Sequence, residues 1–152
     1  MIIKNISWDE ILEIWERYLW PDRKSKIKPA VGMKFNGTWE RYVGENDPTF
    51  FGAYENGILV GVNSGHKAER VGNKQYYRSR GLYVFPKYRG KGIAQALLQK
   101  TIEQAEFENC DLIWSIPRVK ALPTYLKVGF KIDRPAQDLE YGPNVYAYKE
   151  LK

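Results

Sequence analysis

The residues with the plainest chemical potential are Arg89-Gly90-Lys91-Gly92, two cations set between glycines. They follow a β-branched and aromatic run, Leu82 to Phe85, closed by Pro86, which cannot continue a central strand. After them Ala94, Leu97, Leu98, Thr101, Ile102 and Ala105 recur at helical spacing. Strand, glycine loop and helix start together predict an anion site. The first turn of a helix carries unpaired N–H groups and partial positive charge, and glycines remove the Cβ atoms that would hold a phosphate away. The loop is neither of two common phosphate motifs. No Gly-Lys-Ser/Thr follows a four-residue spacer, and Gln95 stands where a dinucleotide fingerprint has its third glycine.

Other chemistry is sparse. With one His and one Cys, zinc ligation is not expected and no metal site is predicted. Cys110 excludes an intrachain disulfide, suits a reducing compartment, and reads as a small buried residue at an element end. No signal-peptide pattern opens the chain, and no apolar run approaches the ~20 residues that span a bilayer. The expected location is therefore cytoplasmic, without a membrane partner. The net charge of +6 attracts polyanions, whether nucleic acid or a phosphate-bearing cofactor, and does not choose between them.

The elements that must position these residues are read in order. At 152 residues the chain fits one domain, 1–152, with one core. The N-terminus is expected to enter a helix directly, with Ser7 and Glu10 as a capping box and Pro21 as the stop. Arg23 to Lys28 reads as a loop, and Gly37, Trp39, Tyr42 and Gly44 as an irregular aromatic section. Thr49 to Tyr54 and Ile58 to His66 form a hairpin about Asn56-Gly57. Gln75 to Phe85 is a long strand, and Leu112 to Ile116 a short one covered on both faces. Phe130 to Asp133 and Asn144 to Leu151 close the chain as an antiparallel pair.

Two stretches resemble the GNAT superfamily of acetyl-CoA-dependent N-acetyltransferases. Arg89, Gly92 and Ala94 fit the Arg/Gln-x-x-Gly-x-Gly/Ala of its motif A after a strand ending Val-x-Pro. Ala121, Tyr125, Lys127, Gly129 and Phe130 fit its motif B, with Arg118 in place of the usual Asn and Pro123 inside the helix. The resemblance covers Thr49 to Phe130 and implies an α/β fold of the α+β type. That fold is a mixed, mostly antiparallel sheet of about six or seven strands, splayed beside the glycine loop, with helices on both faces.

It further implies a mechanism. Acetyl-CoA would be the co-substrate and a primary amine of a small molecule or peptide the acceptor, attacking directly. The cofactor would be held by Arg89, Gly90, Lys91, Gly92, Ile93, Ala94, Gln95 and Arg118. Its pantetheine arm would pair with Leu82, Tyr83 and Val84, and an N–H near Val84 would polarise the thioester. Tyr125 takes the position of the general acid to the leaving thiolate. Alternation puts Arg78 and Arg80 on the face of Leu82 and Val84, where relatives hold a base; arginine cannot be one. They are read instead as substrate-binding, for an acceptor with a negative group beside its amine. His66, Glu40, Glu45, Asp47 or a water-mediated route remain open as the base. Two other classes stand beside the enzyme: a non-catalytic coenzyme A-binding module, and a basic nucleic-acid binder. The dispersed cations and the lack of a recognition motif make nucleic acid the weakest partner. A homodimer stays open.

Overall fold

The computed structural model describes residues 1–40, 47–137 and 141–152. One seven-stranded sheet runs in the order β1-β2-β3-β4-β5-β7-β6: β1 (Ile2–Asn5), β2 (Thr49–Glu55), β3 (Ile58–Val71), β4 (Lys74–Val84), β5 (Leu112–Ser115), β6 (Lys131–Ala136) and β7 (Asn144–Glu150). Every pairing is antiparallel except β4 with β5. The N-terminus enters β1 rather than a helix. These four residues gain their ladder from β2, Ile2 opposite Tyr54 and Asn5 opposite Phe51.

Helix α1 (Trp8–Ile14) starts at the expected capping box. Ser7 Oγ accepts from the Glu10 N–H at 3.1 Å, and Glu10 accepts from the Ser7 N–H at 3.0 Å. It continues as a π-helical turn, Trp15–Leu19, ahead of Pro21. Helix α2 (Ile93–Phe107) follows the glycine loop, and α3 (Leu122–Lys127) accommodates Pro123 in its first turn, where a missing N–H costs nothing. α1 packs on one face of the sheet through Ile11, Ile14, Trp15 and Val62, and α2 on the other through Leu97, Leu98 and Ile102.

Two features of β4 shape the site. First, β5 pairs with it only from Tyr76 to Arg78, so among the described residues β4 runs on to Val84 with no strand on that side. Second, the β3–β4 register slips by one residue, Val62 facing Tyr83 but Ser64 facing Arg80. The extra residue is accommodated at Gly81, with φ +82°. A β-bulge inverts alternation beyond it. Leu82 and Val84 therefore pack toward α2, while Tyr83 packs with Trp15. Arg80 lies against Trp15 on the α1 face. The expected grouping of Arg78 and Arg80 with Leu82 and Val84 is thus corrected: they share a face with Tyr83.

Candidate active site

The gap left where β5 parts from β4 is the mouth of a cavity of about 500 Å³. The glycine loop forms one end. Gly90 and Gly92 have φ of +77° and +83°, and a Cβ built on either would meet nothing within 4 Å. Gly92 is the left-handed N-cap of α2, with no side-chain cap and no acid in the first turn. The N–H groups there are left for a ligand, and an anion fits them. Arg89, Gly90, Gly92, Ile93, Ala94 and Gln95 all line the cavity. Lys91 does not; its Nζ lies 5.5 Å from the Tyr88 ring centre.

Leu82, Tyr83 and Val84 form the β4 wall. Phe85 N–H donates to Val60 O at 3.0 Å, across to β3. Since N–H groups alternate sides along a strand, those of Val84 and Leu82 face the gap. Arg89 Nε donates to Val84 O at 2.8 Å, from the gap side. An extended ligand could therefore pair here as a strand would.

Tyr125, from α3, is 4% exposed and reaches the cavity from the opposite wall, its ring edge-on to Phe130 at 5.2 Å. The turn after α3 fixes it: Phe130 N–H donates back to Tyr125 O at 3.1 Å past Gly129, φ +98°. Burial pushes its hydroxyl up to about 12, against Ser115 and Arg78, which favour the ionised form. It is therefore protonated at neutral pH, a hydroxyl that carries a proton rather than one that takes it.

Arg78 and Arg80 also line the cavity. Neither points out to solvent. The Arg80 guanidinium lies 4.9 Å from the Trp15 ring and 5.1 Å from the Trp20 ring, and its Nη1 donates to Lys28 O at 2.7 Å. Arg78 covers the Trp114 ring at 5.0 Å. Burial lowers both arginines, Arg78 to about 10.

Arg118 lines the cavity too, but it has a structural task. Its Nη2 donates to Leu19 O at 2.7 Å and its guanidinium stacks 5.5 Å from the Tyr141 ring, joining the end of the π-helical turn to the β5 side.

The base candidates fare differently. His66 is 1% exposed and is not on the cavity wall. Burial first, and then Arg78 and Arg80, drive its pKa down to about 3, so it is too weak a base for an ammonium. Glu40 forms an ion pair with Lys34 away from the cavity, and Asp47 is exposed. Glu45, like Tyr42 and Gly44, lies outside the described residues. Cys110 is fully buried and its thiol is pushed up to about 11 by that burial, as an inert residue should be.

Sequence reasoning missed Trp20, Ser115 and Asn144 on the wall. Asn144 arrives because β7 begins beside Arg118, with Asn144 Nδ2 donating to Ile116 O at 3.0 Å. No local spacing announces that meeting.

Comparison with known proteins agrees with this geometry. No curated protein matches the sequence. An Arabidopsis thaliana structure in complex with the bisubstrate analogue CoA-Ac-MVNAL is 19% identical with a TM-score of 0.68, over 97% of each chain. A ribosomal-protein-alanine N-acetyltransferase from Brucella melitensis is 14% identical with a TM-score of 0.67, over 99% of this chain and all of that one. A GNAT-family acetyltransferase from Staphylococcus aureus is 20% identical with a TM-score of 0.62, over 99% of each. At these identities the likeness is one of fold. The acetyltransferase (GNAT) family itself matches residues 6–130, which take in the glycine loop, the bulged strand and Tyr125, and the chain belongs to that family.

Proposed function

We propose that the protein is an N-acetyltransferase that moves the acetyl group of acetyl-CoA to a primary amine of a small molecule or peptide by direct attack. The observation that carries this reading is the continuous wall from the uncapped α2 start, along the unpaired side of β4, to Tyr125. Acetyl-CoA would supply an activated acetyl group and a thiol leaving group. Gly90 to Gln95 would hold its pyrophosphate through backbone N–H groups, each contributing roughly 0.3–1 kcal/mol through the helix dipole. Leu82 and Val84 would pair with the pantetheine amides, and the Val84 N–H is available to polarise the thioester oxygen.

Protons pass between the acceptor, Tyr125 and water. The acceptor ammonium loses one proton to water on binding. The nitrogen loses a second, also to water, as the C–N bond forms and the C–S bond breaks, while Tyr125 Oη protonates the departing sulfur and is reprotonated from that water, so that one proton is released in all.

A coenzyme A-binding module without turnover is the second reading. It is favoured by one observation: among the described residues no Asp, Glu or His lines the cavity. The test is thiol release from acetyl-CoA with amino acids, polyamines, aminoglycosides and peptides as acceptors. Release with any of them supports the enzyme; coenzyme A binding with no release from any supports the module.

A further inference from the structure

Among the described residues, every charged side chain on the cavity wall is a cation. Four arginines and two lysines line it, with no acidic side chain among the described residues. Arg89 adjoins the glycine loop and answers to a phosphate-bearing ligand, and Arg118 is held by Leu19 O and the Tyr141 ring. Arg78 and Arg80 are left over. They lie before the bulge, on the α1 face, away from the loop.

Both are under-satisfied. Arg80 is 4% exposed, and its Nη2 is buried with no partner. The Nε of Arg78 is likewise buried without a partner, and among the described residues its guanidinium makes no hydrogen bond or ion pair. The acid that bears on it is Glu69, whose two oxygens already accept from Trp114 Nε1–H and the Phe35 N–H. A buried charge is costly unless paired, and a guanidinium fork matches a carboxylate in two parallel hydrogen bonds.

Building on the acetyltransferase reading, we infer that the acceptor is a small amine bearing a carboxylate beside its nitrogen, of the α-amino acid class, and that Arg78 reads that carboxylate with Arg80 reinforcing the field. The same cations disfavour the acceptor's ammonium form and so ease its deprotonation where, among the described residues, no carboxylate or histidine lines the wall. A polyamine, with several positive charges, is the wrong ligand for this wall.

The test is calorimetry on the coenzyme A-saturated protein with N-acetylglycine, N-acetylleucine and N-acetylphenylalanine against their primary amides, which differ only in the charged group. At least one acid should bind tenfold or more tighter than its amide. Arg78→Gln should erase the difference and Arg78→Lys, which keeps the charge and loses the fork, should shrink it. No preference for any acid over its amide in the parent overturns the inference, and that comparison holds even if Arg78→Gln does not fold. Carboxylate preference with no thiol release from any amine would instead overturn the transferase reading and leave the subsite standing.

Discussion

Replacing Gly81 with alanine should cost the fold far more than a methyl group ordinarily does. The residue has φ +82°, and a Cβ there would sit 2.2 Å from Trp15 Cζ2 and 2.4 Å from its Nε1. An L-residue in the left-handed region costs about 1–2 kcal/mol. Crowding a packed core adds about 1–3 kcal/mol. The indole cannot withdraw without lengthening the 2.9 Å bond from Trp15 Nε1–H to Gly81 O, which contributes about 0.5–1.5 kcal/mol. Together the expected loss is about 3–6 kcal/mol. Urea unfolding followed by fluorescence reads it as a lower midpoint at unchanged slope. Gly90→Ala is the internal control: its φ is +77°, but its Cβ meets nothing, so only the backbone cost of about 1–2 kcal/mol applies. If the two variants unfold within about 1 kcal/mol of each other, the argument that the indole locks the bulge is wrong.

Three further outcomes are expected. Gly92→Val, which combines φ +83° with a side chain in open space at the α2 start, should weaken coenzyme A binding at least tenfold by calorimetry while leaving the circular dichroism spectrum intact. Tyr125→Phe should lower kcat by roughly 100–10,000-fold with little change in KM, and wild-type kcat across the pH range would reduce the ring to packing against Phe130. His66 should make the fold acid-sensitive: its pKa falls from 6.5 to about 3 on folding, so the unfolded chain takes a proton that the folded one refuses. Its contribution is full above pH 6.5 and falls away toward pH 3, by up to roughly 4–5 kcal/mol. His66→Gln should flatten that part of the stability curve, and parallel curves for variant and parent would contradict the assignment.

What was legible in the sequence was local. The Ser7–Glu10 box, the Asn56-Gly57 turn and the strand–glycine loop–helix order each rest on residues a few positions apart, and the structure contains them all. β1 was not legible, because four residues carry no period worth reading and their partner lies some fifty positions away in β2. The faces of Arg78 and Arg80 were misread because strict alternation assumes that no residue is inserted. Gly81, a lone glycine inside a strand, was the available signal for the bulge. Arg118 stood where a shorter asparagine is usual, and its length lets it reach Leu19, a contact across ninety-nine positions that no spacing rule could supply.

The parting of β4 from β5 gives this sheet an edge in its middle. Outer edges are protected by being short, like the four residues of β1, but an inner edge cannot be trimmed without losing the cavity. On the function proposed here, coenzyme A completes the ladder whenever it is bound, so ligand supply and folding stability are one linked equilibrium. At a hundred times its Kd, the ligand would add about 2.7 kcal/mol to the fold. On that reading the chain is most vulnerable to unfolding and to pairing with other chains when coenzyme A and its thioester are both scarce, which would tie its persistence to the supply of its own co-substrate.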